Sequence, residues 1–428
     1  MLNFNLHYCL ICTLVTLLSF FWIKNEKDEI KKYFYLFCVF FYYLICGATS
    51  YLFSDNNYIV YYVIYTIAFS GTLYLTRNKS FKLSSLASPS FENFINKKAD
   101  GFIKFYFIYQ FFQLVYPTNK LGNLISLGHP DVDAALESSL EHSMFDTFGQ
   151  ILGLLFYIFL SKYVKNPSKL IKLLLFSTYL SYASSSYLSR GAILRLLVVV
   201  FFLFYLNYPK IRKLLIISAL GSVSFLLIFF VSYMYARSGG AFEAVSLSTA
   251  IEKIVEIELS FSYNFDTVLR VSETPRVGIW QFLIWFVTLP LPGFMKPGVL
   301  SDTINVLYTY DILGLDVNDA SFFVSLPGLA IEGVYLFGQY LYPLHAVIFA
   351  CMINYLINTL RQSPVFSFLC IYYIINIPFQ AIRGGTQSFY ATCMKVLPFV
   401  LILLYIWFKQ SKNACKNRVT SKSPYLNY

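Results

Sequence analysis

Three arginines, each followed closely by glycine, are the residues whose type and spacing point most directly to chemistry. They occur as Arg190-Gly191, Arg237-Ser238-Gly239-Gly240 and Arg383-Gly384-Gly385. Arginine offers paired donors to phosphate oxygens and stays charged, and glycine lets backbone N–H groups approach an anion closely. The three sites therefore predict a clamp for a diphosphate. The alternative for each arginine is a side chain that reaches lipid headgroups or pairs with an acid such as Glu243 or Glu332.

Two carboxylates are candidates for a general base that would accept a proton from a hydroxyl group. Glu332 is the first candidate and Asp302 the second. Tyr335 lies three residues after Glu332, so a helix would put both on one face, where the tyrosine could contact a sugar. The alternatives are an ion pair of Glu332 with Lys296 or Arg383, and an ordinary membrane-interface role for Tyr335.

Several other chemistries find no motif in this chain. The sequence has no G-x-x-x-x-G-K-[ST] phosphate loop and no H-E-x-x-H or other clustered metal-ligand spacing, so no metal or cofactor is expected. The net charge is +11, but no nucleic-acid-binding signature accompanies it, and we expect no nucleic-acid partner. Among the four scattered histidines, His345 falls in an apolar stretch, where a packed or hydrogen-bonded role is favoured over a functional one.

The composition indicates that lipid solvates much of the surface. Of the 428 residues 57% are hydrophobic and only 13% are charged, whereas soluble domains carry about 25% charged residues. The apolar runs have helix-spanning length without strict alternation, which predicts helices and not barrel strands. We therefore predict an all-α, polytopic transmembrane bundle forming a single integral membrane domain over 1–428. The predicted spans are roughly 6–23, 33–53, 58–75, 102–116, 144–160, 171–188, 192–207, 214–236, 334–357, 364–382 and 389–408.

The lysines and arginines divide the connecting loops into two alternating sets. The lysine-rich set comprises 24–32, 77–98, 162–169, 210–213, Arg361 and the basic tail 409–428, which the positive-inside rule assigns to the cytoplasm. About eleven spans then leave the N-terminus outside and the C-terminus inside. The glycine-flanked arginines all fall on the outer side, against the usual bias, so each charge needs a compensating partner.

The outer set includes one large loop, 237–333, in which short helices are expected. Its run WQFLIWFVTLPLPGFMKPG has about 12 apolar residues before the prolines, too few to cross a bilayer. This run therefore indicates a re-entrant or surface-lying segment.

Four stretches together resemble the Wzy-type O-antigen or oligosaccharide repeat-unit polymerases of bacteria. They are SRGA entering a span, YARSGG before the large loop, SLPGLAIEGVYLFG entering the next span, and the IRGG turn before the last span. Some relatives have an arginine followed ten residues later by glycine, and none of the outer arginines here has that spacing. The resemblance implies a multi-pass protein of the bacterial inner membrane that acts on undecaprenyl-diphosphate-linked oligosaccharide at its external face. It implies no metal and no nucleotide sugar, and it leaves open a chain-length regulator as a partner besides membrane lipid.

Two further functions remain open from the sequence. An O-antigen ligase-like glycosyltransferase shares the overall plan of the polymerases. A flippase for lipid-linked oligosaccharides should carry charged residues deep in several spans, and here the deep spans are nearly uncharged.

Overall fold

Every element described in a computed structural model of the chain is helical. It describes residues 6–26, 31–32, 59–83, 85–116, 120–124, 144–184, 190–219, 265–273, 278–291, 304–314, 328–373 and 385–420, with single residues at 221, 228, 246 and 377. The main helices are α1 (Leu6–Lys24), α2 (Ile59–Leu75), α3 (Pro89–Val115), α4 (Met144–Phe159), α5 (Pro167–Ser184), α6 (Arg190–Asn207), α7 (Phe265–Glu273), α8 (Ile279–Thr288), α9 (Ile304–Leu313), α10 (Leu329–Leu360), α11 (Gln387–Ala391) and α12 (Leu397–Thr420). No strand occurs in these ranges, which confirms the all-α prediction for them.

Two helical stretches among the described residues are long and apolar enough to cross a membrane. They are Leu329–Leu360 and Gln387–Asn413. The second stretch joins α11 and α12 through the π-helical turn Thr392–Val396. The full set of eleven spans stays a prediction.

Helix α10 reverses direction at Gly338, which has φ 75° and ψ 171°. A Cβ atom placed on Gly333 would lie 3.3 Å from the carbonyl oxygen of Tyr342. In a straight helix these two residues would be about 13 Å apart along the axis. We call residues 329–337 the α10 arm and residues 339–360 the α10 rod. The predicted span at 334–357 is therefore interrupted, and the rod alone, about 33 Å long, is the continuous helix of membrane-crossing length.

The chain divides into two compact units. The first comprises 1–81, 197–358 and 373–391, and the second comprises 82–196, 359–372 and 392–428. In the first unit, short helices of the predicted large loop pack by their aromatic faces. Phe265 of α7 lies against Tyr61, with ring centroids 5.1 Å apart, and Phe282 of α8 lies 5.2 Å from Phe337 of the α10 arm.

Helix α8 coincides with the apolar run that the sequence marked as too short to cross. Its ten residues extend about 15 Å, roughly half of a bilayer core. Phe282 and Trp285 are buried on one face, while Trp280 and Val287 are exposed on the other. The short length is confirmed, and its position relative to a bilayer stays a prediction.

In the second unit, α3 is the central helix. Ser88 caps its start by accepting the N–H of Phe91, and Pro89 occupies the first helical position, where the missing N–H costs nothing. Aromatic stacking joins α3 to α4, with Tyr106 and Phe156 at 4.2 Å and Phe102 and Phe159 at 4.5 Å between centroids. The high aromatic content of the sequence thus serves helix-to-helix packing.

Gly338→Ala should lower the stability of the protein by about 1–3 kcal/mol, because its φ and ψ fall in a region open essentially to glycine alone. A Cβ at this position would meet nothing within 4 Å, so backbone strain is the only cost. The check is the midpoint of thermal unfolding of the purified protein. Gly101→Ala, also in open space but within helix α3, is the control and should stabilise slightly. Equal shifts in both variants would contradict the reversal.

Candidate functional site: a buried carboxylate network

Glu332, the first-ranked base candidate, lies in the α10 arm with its side chain wholly buried. Its Oε2 accepts the backbone N–H of Thr386 at 2.6 Å, and its Oε1 accepts the hydroxyl of Thr386 at 3.0 Å. A buried carboxylate without partners is costly, several kcal/mol even after relaxation. The two bonds from Thr386 therefore tie the carboxylate to the residue just before helix α11.

A chain of hydrogen bonds continues from Thr386 to His345 and Tyr65. Thr386 Oγ1 lies 3.2 Å from His345 Nε2, and the Tyr65 hydroxyl lies 2.9 Å from His345 Nδ1. If Glu332 is ionised and the imidazole of His345 is neutral, the direction of every bond follows, because a carboxylate only accepts. The threonine hydroxyl donates to Glu332, His345 donates from Nε2 to that hydroxyl, and Nδ1 accepts from Tyr65. The chain thus joins α2, the α10 arm, the α10 rod and the turn before α11.

Gly385 is required at this turn for two independent reasons. Its φ is +71°, a left-handed conformation that side chains rarely adopt. A Cβ atom on it would also lie 2.5 Å from Glu332 Oε2 and 2.8 Å from Cδ. The sequence suggested that the glycines after Arg383 admit a phosphate. For Gly385, the group that approaches the backbone in the structure is the carboxylate of Glu332.

Further bonds draw the neighbouring candidate segments together. The backbone N–H of Asn305, at the start of α9, donates to Gln387 Oε1 at 2.9 Å. The buried Tyr335 donates its hydroxyl to Asp311 Oδ2 of α9 at 2.7 Å. Helix α9, the α10 arm and the start of α11 therefore form one connected group of elements.

The sequence candidates relate to this group as follows. Glu332 and Tyr335 belong to it directly. Asp302 lies outside the described residues, three positions before Asn305, and Arg383 lies outside them, two positions before Gly385. Arg237 also lies outside the described residues, and Arg190 is described only as the first residue of α6, with nothing of its side chain.

Two of the contacts could not be read from the residue pattern. Thr386 and Tyr65 belong to no recognisable sequence motif. The only sequence signal was that Thr386 directly follows the Arg383-Gly384-Gly385 turn. His345 was expected to be packed or hydrogen-bonded, and the structure confirms this. The expected alternatives for Glu332, ion pairs with Lys296 or Arg383, involve residues outside the described ranges.

The network links α2, the α10 arm, the α10 rod and the turn before α11, and its side chains are closed to solvent. His345 Nε2 lies 3.9 Å from Glu332 Oε2, close enough for an ion pair if the imidazole is protonated. No group of three metal-ligating side chains occurs in the part of the chain that the structure describes.

Comparisons with family models, with curated proteins and with solved structures found no match for this chain.

Thr386→Val should destabilise the protein by about 1–3 kcal/mol, because it leaves Glu332 Oε1 and His345 Nε2 without their shared hydroxyl. Thr386→Ser keeps the hydroxyl and should retain most of the stability. The measurement is the thermal unfolding midpoint of each purified variant. A valine variant as stable as the wild type would contradict this role of the hydroxyl.

Gly385→Ala should destabilise more than Gly314→Ala. Both glycines have a left-handed φ, +71° and +68°, but a Cβ on Gly314 would meet nothing within 4 Å. The pair therefore separates backbone strain, common to both, from the collision with Glu332, which only Gly385→Ala suffers. Equal unfolding midpoints for the two variants would contradict the close approach of the carboxylate.

Proposed function

We propose that this protein is a glycosyltransferase of the bacterial inner membrane, a polymerase that joins undecaprenyl-diphosphate-linked oligosaccharide repeat units on the external face. The product would be a surface polysaccharide, either O-antigen or capsule. The observation that carries the proposal is the convergence of the candidate segments, because α9, the α10 arm and the turn before α11 are tied together beside the chain positions of Asp302 and Arg383.

The placement in a membrane is supported by the outward faces of the helices. Only 22% of the most apolar window of Gln387–Asn413 is buried within the protein. On α3, Ile108 is 68% exposed. Surfaces of this kind are unfavourable in water and are matched by lipid. The proposed topology has about eleven spans, with the N-terminus outside and the tail 409–428 in the cytoplasm.

The proposed reaction transfers the growing glycan from its lipid carrier to a new repeat unit. An acceptor hydroxyl oxygen attacks the anomeric carbon of the donor, the bond from that carbon to the diphosphate breaks, and the hydroxyl proton passes to a base. The lipid diphosphate leaves with increased negative charge. Fixed cations at that position stabilise the transition state more than the ground state, and Arg190, Arg237 and Arg383 are proposed for this role.

Within this proposal Glu332 is a positioning residue. Its two oxygens are occupied by Thr386, and its side chain is closed to solvent. Its hydrogen bonds hold the backbone of residues 385–386 in place. Because consecutive Cα atoms are about 3.8 Å apart, the Cα atom of Arg383 lies no more than about 8 Å from that of Gly385. Asp302 then becomes the preferred base. Tyr335, whose hydroxyl donates to Asp311, would hold the α10 arm against α9.

Arg190→Ala, Arg237→Ala and Arg383→Ala should each reduce polymerisation by about a hundredfold, the usual effect of removing one preorganised donor from a transition state. The measurement is the length distribution of surface glycan in a strain whose own copy is deleted, with protein abundance in the membrane fraction measured alongside. Arg361→Ala, in the proposed cytoplasmic set, is the matched control and should leave the distribution unchanged.

Normal polymer in all three arginine variants would contradict the diphosphate clamp. The deletion strain separates the remaining functions. A polymerase leaves single repeat units on the surface, a ligase leaves no glycan on lipid A, and a flippase leaves lipid-linked precursor on the cytoplasmic face.

A further inference from the structure

An open, polar-lined pocket of about 410 Å³, called the cavity below, lies within the second unit, between α3, α4 and α5. Its volume falls in the usual range of ligand pockets, about 300–1,000 Å³. The cavity is lined by Tyr106, Tyr109, Gln110, Gln113, Gly149, Gln150 and Ser181. All of these side chains that carry polar groups are amides or hydroxyls, so the lining has no ionised group at neutral pH.

The amide of Gln110 is satisfied at one end only. Its side chain is 4% exposed, and Nε2 lies within bonding distance of Ser181 Oγ (2.9 Å), Ser177 Oγ (3.2 Å) and the Tyr106 hydroxyl (3.2 Å). The other end, Oε1, is buried and has no hydrogen-bond partner among the described residues. Exchanging the oxygen and nitrogen of the amide would leave the same end empty, because the hydroxyls can donate as well as accept. A buried polar atom without a partner is unfavourable by about 1–3 kcal/mol. Because Gln110 lines the cavity, a ligand hydroxyl that reached Oε1 after a small side-chain adjustment would offset that cost.

Gly149 of α4 also lines the cavity. A Cβ atom on it would lie 3.2 Å from the Tyr109 hydroxyl and 3.4 Å from Gln113 Nε2. These two groups bond to each other at 3.1 Å. The absence of a side chain at 149 thus lets a tyrosine and a glutamine stand side by side with their polar ends at the cavity.

The cavity lies towards one end of the helices and an ion-pair cluster lies towards the other. Asp100 of α3 pairs with Lys162 at 2.5 Å and with Lys169 at 3.9 Å, and the Lys162 ammonium lowers the pKa of the Asp100 carboxyl. Gln110 is ten residues further along α3, about 15 Å away. Lys120, which follows the other end of α3, donates to the carbonyl of Ser184, the last residue of α5, at 2.9 Å. Since Lys162 and Lys169 belong to the proposed cytoplasmic set, the cavity lies towards the proposed external face.

We propose that this cavity binds a neutral saccharide ring. Amides and phenolic hydroxyls provide donors and acceptors that match sugar hydroxyls. An anionic group would find no cation in the described lining, and a hydrocarbon chain would leave Gln110 unsatisfied. The assignment of the sugar to a lipid-linked repeat unit rests on the proposed function, whereas the affinity for saccharide does not.

The test is saturation-transfer NMR with the full-length protein in lipid nanodiscs free of sugar detergents. The probes are glucose, galactose, rhamnose and N-acetylglucosamine at millimolar concentration. We expect saturation transfer to at least one of them from the wild type. Gln110→Leu should weaken that binding at least tenfold, because it removes the empty amide end.

Glycine variants of α4 provide the matched pair. Gly149→Ala should also weaken binding at least tenfold while leaving thermal stability equal or higher, because alanine favours the helix but crowds Tyr109 and Gln113. Gly153→Ala, one turn further along and facing open space, should bind like the wild type. This pair keeps the test decisive if Gln110→Leu does not fold.

The proposal is overturned if none of the four sugars receives saturation, or if Gly149→Ala binds like Gly153→Ala. Sugar binding together with normal polymer in the three arginine variants would overturn the diphosphate clamp and leave the saccharide site standing. Loss of polymer in the arginine variants without sugar binding would overturn the saccharide site and leave the diphosphate clamp standing.

Discussion

The carboxylate of Glu332, enclosed in protein and held by Thr386, is the interaction on which the arrangement of the first unit depends. A buried carboxyl group needs local hydrogen-bond partners, and here a backbone N–H and a hydroxyl from one residue provide them. Because that residue precedes α11 while the carboxylate belongs to the α10 arm, two distant parts of the chain are fixed to each other. His345 and Tyr65 extend the same constraint to the α10 rod and to α2.

Two glycines make this arrangement possible, each by a different physical route. Gly338 allows the backbone conformation that folds the α10 arm against the rod, which is how Glu332 and His345, thirteen positions apart, come within 3.9 Å. Gly385 leaves space for the carboxylate where any side chain would collide with it. Gly338 is needed for its dihedral angles alone, whereas Gly385 is needed both for its positive φ and for its missing Cβ.

The two units offer different kinds of polar chemistry. The first has a closed hydrogen-bond network built on the carboxyl group of Glu332, and the second has an amide-lined cavity with an unsatisfied acceptor. A substrate made of a diphosphate and a glycan contains both a charged and a neutral part.

The sequence by itself determined the helical class and the apolar character, because hydropathy and the lack of alternation depend only on residue order. It also singled out Glu332 and the glycine-rich turn at 383–385, since charge and glycine stand out in apolar surroundings. Only the tertiary structure decided that Glu332 contacts Thr386, that α10 turns back at Gly338, and that Gln110 is left half-satisfied beside Gly149. These features depend on contacts between residues far apart in the chain, and no local pattern of residue types encodes which distant polar groups will meet once the helices pack.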